Sequence, residues 1–231
     1  MNKIKNLING FLEKDKKEII TIIGKYSFDK TSFVANIVKN LAIDNNKSVA
    51  IVCTKEKKEN FRYHLISLIT NIDLADFNMK IFVDFNNKKI KNASDMIEKS
   101  KIYISNGQNF LDDLSKIADK KIDLLIIDSL TYLFLEMNTD KIMEKLKEIS
   151  TNLNCSILTT YEQLYYPPTY KETAKKEEEF VKKASDTVII MERDIVKLTI
   201  DSHTNQTQTI ECKFNNSTGE FTEDIYEFDI I

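Results

Sequence analysis

Tryptophan is absent from this sequence, and cysteine, proline and glycine are scarce, with three, two and four residues respectively among 231. The three cysteines are too far apart for a disulfide framework or a cysteine-rich metal site, and Cys53 and Cys155 lie in apolar segments typical of a core. We find neither a signal-peptide pattern nor an apolar run long enough to cross a bilayer. These absences predict a cytoplasmic protein without a membrane partner.

Arginine is nearly absent as well, since only Arg62 and Arg193 occur. Arginine is the preferred side chain for binding phosphate and for stabilising charge in a transition state, so its scarcity limits both. The formal net charge of -3 excludes the global positive field that marks many nucleic-acid-binding proteins. A chain of 231 residues can bury a sizeable core as one main domain.

The most informative segment is 19–33, where an apolar, β-branched run ends at Gly24 and a helical pattern begins after Lys30-Thr31. This layout is typical of the phosphate-binding loop G-x-x-x-x-G-K-[ST] between a strand and a helix. In such a loop, backbone N–H groups and the helix N-terminus bind phosphate oxygens, the lysine contacts the outer phosphates, and the hydroxyl ligates Mg²⁺. The alternative is an ordinary strand–turn–helix corner that contains Lys-Thr by chance.

One loop position departs from the pattern, because Asp29 stands where the second glycine belongs. Aspartate tolerates a left-handed backbone better than most residues, so the shape of the loop can survive. Its charge is harder to accommodate, since a carboxylate about 5 Å from a phosphate charge is repelled by roughly 3 kcal/mol at an effective dielectric of about 20. The repulsion is smaller if the side chain points away or pairs with Lys25 or Lys30.

Strand and helix patterns alternate after the loop. Nearly unbroken apolar runs over 48–53 and 122–128 are typical of parallel strands buried on both faces. The second run ends in Asp128, at the position where nucleotide sites place a carboxylate that holds Mg²⁺. From residue 187 onward, successive strand patterns predict antiparallel strands at one edge of an α/β sheet.

The remaining segments complete the predicted organisation. Residues 1–17 form a short amphipathic helix that covers the core or docks on a neighbouring subunit, and residues 18–231 form the main domain. Both prolines lie in 165–176, which is predicted as an exposed loop, and a short charged helix is predicted over 177–183.

From about Glu18 to Phe228 the order of segments resembles the ATPase domain of DnaB-type replicative helicases, which are P-loop NTPases with a RecA-like core. The resemblance implies a three-layer α/β/α fold with a mostly parallel central sheet and antiparallel strands at its C-terminal edge. It rests on 24–31, on 54–56 where the family has Ser-Leu-Glu, on 124–128, on 160–164 where it has Ser-Gln-Leu, on 184–186 where it has Asp-Ala-Asp, and on 213–219 where it has Lys-x-Arg-Asn-Gly-x-Thr-Gly.

This resemblance implies ATP and Mg²⁺ as ligands and assigns roles to residues of this sequence. Glu56 would orient the attacking water, Gln163 would sense the γ-phosphate, and Asp128 would hold Mg²⁺ together with Thr31. Glu56 and Gln163 are equally well explained as ordinary polar side chains of a charged run and a loop. The residues implied to bind the nucleotide are Gly24, Ser27, Lys30, Thr31 and Ser32.

Two departures from the family reduce the expected activity. Asp29 replaces the loop glycine, and Asn215 or its neighbour stands where the family presents an arginine to the adjacent subunit's nucleotide. Such an arginine contributes about 10³ to 10⁵ in rate, and Lys213 lacks its planar fork. We expect a stand-alone, diverged relative that functions in chromosome, plasmid or phage DNA replication with weak or absent ATP hydrolysis. The alternatives are an active ATP-dependent DNA motor and an interaction module that has lost the nucleotide site.

DNA, replication proteins and further copies of the chain are the partners that the resemblance brings into view. Lysines at 88–91, 175–176 and 182–183 could contact phosphates, but the acidic neighbours 177–179 favour solvated helix faces. The tyrosines of 165–170 lie where the family faces its central channel, so they are candidates for stacking on bases or for packing on their own domain.

Replacing Asp29 tests the electrostatic interpretation of the loop. Asp29→Gly should raise the affinity for ATP by up to about a hundredfold, because it removes the repulsion of roughly 3 kcal/mol. Calorimetric titration measures the change, and Asp29→Glu, which keeps the charge, is the control. Equal affinities of wild type and Asp29→Gly would show that the interpretation is wrong.

Overall fold

The computed structural model describes residues 3–12, 17–25, 30–79, 87–107, 110–117, 119–134, 138–163, 171–192, 196–202 and 207–223. Its central sheet has nine strands. Their bounds in chain order are β1 (Ile19–Lys25), β2 (Val49–Cys53), β3 (Ile102–Ser105), β4 (Leu124–Asp128), β5 (Ser156–Gln163), β6 (Thr187–Glu192), β7 (Val196–Ser202), β8 (Thr207–Asn215) and β9 (Glu220–Glu223).

The spatial order of the strands is β3-β2-β4-β5-β1-β6-β7-β8-β9. Neighbours from β3 to β6 are parallel, whereas neighbours from β6 to β9 are antiparallel. Parallel neighbours require crossover connections, which carry helices here, while antiparallel neighbours require only hairpins. The predicted α/β class, with a mostly parallel sheet and antiparallel strands at the C-terminal edge, is therefore confirmed.

Helices cover both faces of the sheet. Buried side chains of α1 to α5 pack on one face, and those of α6, α7 and α8 pack on the other. Within the described ranges, no helix combines the length and apolarity needed to cross a membrane. The helices are α1 (Lys3–Gly10), α2 (Lys30–Val38, followed by a π-helical segment, Lys39–Asp44), α3 (Lys58–Thr70), α4 (Leu74–Met79), α5 (Lys88–Lys99), α6 (Phe110–Ser115), α7 (Leu130–Phe134), α8 (Thr139–Leu153) and α9 (Lys171–Ala184).

Strand β4 shows why the central strands lack polar alternation. Leu124 and Ile126 belong to the core on one face, and Leu125 and Ile127 to the core on the other. Every residue of β2 and β4 is buried. Because successive side chains of a strand point to opposite faces, a strand covered on both sides must be apolar at each position.

Helix α1 packs on its own domain, which is one of the two alternatives for the first segment. Ile4 and Ile8 are buried on it, and Phe11 follows them into the same core. The helix contacts the π-helical segment after α2 and strand β9. Its apolar stripe is therefore covered within the chain.

The charged helix near residue 180 is longer than predicted, because α9 begins at Lys171. Assigning 171–176 to a loop was wrong. That stretch lacks glycine and proline, and ion pairs between residues four apart, such as Lys176–Glu172 at 2.9 Å and Lys182–Glu178 at 2.6 Å, support one continuous helix. Residues 164–170, with both prolines and the three tyrosines, lie outside the described residues.

Asp186 fixes the start of β6 beside the start of β1. Its carboxylate accepts a hydrogen bond from the Ile19 amide at 2.8 Å, and its own amide donates to the Ile19 carbonyl at 2.8 Å. This double contact sets the register of the two strands before their ladder begins.

Asp186→Ala should lower the free energy of unfolding by about 1–3 kcal/mol, because the Ile19 amide loses its acceptor. Urea denaturation measures the loss. Asp201→Ala, at an exposed position of β7, is the control and should change stability by no more than about 0.5 kcal/mol. Similar losses in both variants would contradict the role assigned to Asp186.

Candidate functional site

The site lies at the carboxyl ends of β4, β5 and β1, which are consecutive in the sheet. Open α/β sheets place their ligands at this edge. Asp128 ends β4, Glu162 lies one residue before the end of β5, and Lys30 is the first residue of α2, which follows the loop after β1. The topology thus brings together side chains that are about 30 to 130 positions apart in the sequence.

Asp128 forms the centre of the predicted Mg²⁺ position. One carboxylate oxygen accepts a hydrogen bond from Thr31 Oγ1 at 2.8 Å, and the other accepts one from Thr160 Oγ1 at 2.5 Å. All three side chains are buried. Hydroxyl and carboxylate oxygens are the donor types that Mg²⁺ prefers, so the set Thr31 and Asp128 fits this ion.

Lys30 is buried at the N-terminus of α2, with 1% of its surface exposed. Its ammonium group donates a hydrogen bond to the Gly24 carbonyl at 3.2 Å. The same nitrogen lies 3.7 Å from Glu162 Oε1. The predicted phosphate-binding lysine is therefore directed back toward the end of β1 and toward a carboxylate.

Glu162 is the functional residue that the sequence interpretation missed. Its carboxylate is 1% exposed, and Oε1 also lies 2.5 Å from Lys55 Nζ. Attention rested on its neighbour Gln163, because the family pattern points there. The signal available in the sequence was an acidic residue at the end of an apolar strand, although nothing local showed which lysines it would meet.

The ionisation of Lys55 reflects this pairing. Burial disfavours its charged form, but the hydrogen bond and charge of Glu162 and the charge of Asp128 outweigh burial and raise the pKa of Lys55 above its usual value. Lys55 therefore carries a full positive charge at neutral pH and adds a second cation beside Lys30.

Glu56, the predicted base, is connected to α2 through a histidine. Its Oε1 lies 4.0 Å from His64 Nε2, and His64 Nδ1 lies 3.0 Å from Ser32 Oγ. Ser32, predicted to bind nucleotide, thus directs its hydroxyl toward α3. A Cβ at Gly219 would come within 2.7 Å of that hydroxyl, so glycine is required where the β8–β9 turn meets α2.

The other predicted residues are placed only in part. Gly24 lies in β1 between Glu162 of β5 and Met191 of β6. Gln163 is the last residue of β5, and its side chain lies outside the described part of the chain. Ser27 and Asp29 fall within 26–29, which is likewise outside it.

The turn between β8 and β9 occupies the place where the family carries an arginine. Asn215 Oδ1 accepts hydrogen bonds from the amides of Ser217 at 3.0 Å and Thr218 at 3.4 Å. The side chain of Asn215 therefore closes its own turn. It carries no charge that could be presented to a neighbouring subunit.

The lysines considered as DNA contacts on α9 are engaged with acidic residues of the same helix. Lys175, Lys176 and Lys182 lie within 4.0 Å, 2.9 Å and 2.6 Å of glutamate oxygens four residues away. This arrangement favours a solvated helix face over a phosphate-binding surface.

Two cysteines are held as neutral thiols by the core. Burial, followed by the nearby charges of Asp128, Glu56 and Glu59, raises the pKa of Cys53 far above its ordinary range. Burial also raises the pKa of Cys155 to about 11. Neither thiol is therefore a nucleophile at neutral pH.

At pH 8 both thiols should react with iodoacetamide about a hundredfold more slowly in the native chain than in denaturant, since only the thiolate reacts. Labelling of Cys155 should accelerate as the pH rises toward 11. Peptide mapping by mass spectrometry identifies the labelled cysteine. Rapid labelling of the native chain at pH 8 would contradict these assignments.

Comparison with known proteins identifies relatives of this arrangement. The family model described as the DnaB-like helicase C terminal domain matches residues 1–223. Among curated protein sequences, none is similar enough to match. The sequence and the fold therefore point to the same group through a family model and through solved structures.

Three solved structures show the same fold at low sequence identity. A solved ATPase domain has 18% identity and a TM-score of 0.73, with 90% of this chain and 84% of that chain covered. A DnaB-like replicative helicase, described with its interactions with primase, has 19% identity and a TM-score of 0.72 over 89% of this chain. This chain spans 57% of that helicase. The flagellar accessory protein FlaH from Methanocaldococcus jannaschii has 18% identity, a TM-score of 0.55 and 90% coverage of both chains.

Proposed function

Since this chain belongs to the family of DnaB-like helicase C-terminal domains, we propose that it binds a Mg²⁺–ATP complex and hydrolyses it slowly or not at all. The proposed site comprises Lys30 and Thr31 at the start of α2 and Asp128 at the end of β4. We place its biological role in DNA replication, as a partner of the replication machinery or as an assembly of several copies.

The observation that carries this proposal is the buried contact between Thr31 and Asp128. The two residues are 97 positions apart, and the hydroxyl donates to the carboxylate at 2.8 Å. Thr160 holds the second carboxylate oxygen, so Asp128 is fixed in orientation. A strand–turn–helix corner with a chance Lys-Thr would have no reason to build this arrangement.

The residues of this chain divide the binding work by charge. Thr31 and Asp128 hold the metal ion, and Lys30 binds the outer phosphates at the positive end of the α2 dipole. The bound ion supplies neutralisation of phosphate charge. Glu56 orients the water, and His64 restrains Glu56 from α3. On the phosphate side the fit requires Lys30 to exchange its contact with Glu162 for one with the ligand.

Slow hydrolysis follows from the loss of positive charge around the outer phosphate. Asn215 closes its turn where the family presents an arginine, and Asp29 introduces a negative charge into the loop. Removal of a transition-state arginine alone lowers phosphoryl transfer by about 10³ to 10⁵. Binding survives such a change better than turnover does, because the arginine acts mainly on the transition state.

Calorimetry with a non-hydrolysable ATP analogue tests binding. We expect binding that requires Mg²⁺ in the wild type and that weakens at least about tenfold in Lys30→Ala, because one phosphate-binding charge is lost. Lys57→Ala, an exposed lysine on the same side of β2, is the matched control. The proposal fails if the wild type shows no binding with Mg²⁺ present.

Steady-state ATPase assays with single-stranded DNA test turnover. The expected rate is at least about a thousandfold below that of an arginine-bearing motor. Brisk, DNA-stimulated turnover would overturn slow hydrolysis and favour an active ATP-dependent motor. The absence of nucleotide binding together with intact folding would favour an interaction module.

A further inference from the structure

Glu162 presents an electrostatic problem that the nucleotide site must solve. Its carboxylate is almost fully buried, and an isolated buried carboxylate would cost several kcal/mol. Lys30 and Lys55 compensate it by approaching the same oxygen, at 3.7 Å and 2.5 Å. Two ammonium groups that share one oxygen are spaced to share one anionic group.

The second carboxylate oxygen is poorly satisfied. Glu162 Oε2 is buried and has no hydrogen-bond partner among the described residues. A buried acceptor without a donor costs about 1–3 kcal/mol. Glu162 is thus held firmly through one oxygen, while the environment of the other favours its release.

We propose that Lys55 is a second phosphate-binding lysine of this chain, and that Glu162 is the internal carboxylate that Lys30 and Lys55 exchange for a nucleotide phosphate. This inference rests on the proposed function, because it concerns the same phosphate position. It adds a binding residue outside the loop and a residue that sets the affinity for nucleotide.

The chemistry of the exchange is simple, since carboxylate and phosphate oxygens bind ammonium groups in the same way. A nucleotide phosphate carries more negative charge than the carboxylate and can bind both lysines at once. The exchange moves one carboxylate away from the lysines and breaks no covalent bond. Its free-energy cost is subtracted from the binding of nucleotide.

Lys55 also bears on the missing arginine. It follows β2 directly and reaches the phosphate-binding lysine's partner from within the same chain. Its raised pKa keeps it charged at neutral pH. A lysine supplies a point charge but lacks the planar fork of arginine, so it supports binding more than it supports transition-state recognition.

A purely structural ion pair is the competing explanation, and it makes different predictions. If Glu162 serves only to neutralise two lysines, its removal leaves unpaired positive charge and destabilises the fold without a specific gain in nucleotide affinity. If Glu162 competes with phosphate, its removal destabilises the ligand-free chain and strengthens binding at the same time.

Calorimetry of the full chain with the Mg²⁺ complex of a non-hydrolysable ATP analogue tests the proposal. Glu162→Gln should lower the Kd at least about tenfold, whereas Glu144→Gln, on the exposed face of α8, should leave it unchanged. An unchanged or weaker affinity in Glu162→Gln, with the fold intact by circular dichroism, overturns the role of Glu162 as competitor.

Lys55 is tested separately, and because its side chain is 28% exposed we expect its variants to fold. Lys55→Met should raise the Kd at least about tenfold, with Lys57→Met as the charge-matched control. The same change made in Glu162→Gln distinguishes two origins of the effect. A loss of about fivefold or more in that background supports direct contact with phosphate, and no loss overturns it.

These outcomes separate the present inference from the proposed function. Absence of binding in the wild type and in Glu162→Gln contradicts the nucleotide site as a whole and the inference with it. Binding by the wild type that depends on Lys30 but on neither Lys55 nor Glu162 leaves the proposed function intact and overturns the inference alone. Binding that appears only in Glu162→Gln supports the inference.

Discussion

The buried carboxylate of Asp128 is the constraint on which the arrangement of the site depends. Its oxygens need donors, and Thr31 of α2 and Thr160 of β5 supply them at 2.8 Å and 2.5 Å. An unsatisfied carboxylate at this depth would cost several kcal/mol, so the two threonines must remain close to it. This requirement ties the N-terminus of α2 to β4 and β5, and it determines where Lys30 stands relative to the sheet.

A second balance of charge develops next to this one. Lys30 and Lys55 are positive, and Glu162 neutralises them within the chain. A phosphate site that already contains its own anion binds nucleotide only after that anion is displaced. Together with Asp29 in the loop and Asn215 in the β8–β9 turn, this balance describes a motor fold in which the charges around the outer phosphate have been redistributed toward the protein itself.

The sequence predicted the strands and their order well, because burial on both faces leaves a strong local pattern. The runs that became β2 and β4 are apolar at nearly every position, and the strand that ends in Asp128 was identified as part of a nucleotide site. Prediction was less successful where local signals were ambiguous. The start of α9 was missed because its first residues are charged and follow two prolines, while ion pairs four residues apart extend the helix back to Lys171.

Local sequence by itself determined the phosphate-loop pattern, the apolar strands, the aspartate at the end of β4 and the missing arginine, because each depends on residue type and short-range spacing. Only the tertiary structure decided that Glu162 lies between Lys30 and Lys55, and that His64 connects Glu56 to Ser32. These contacts join strands and helices that are distant in the chain. Their partners are chosen by strand order and packing, which no short-range pattern encodes.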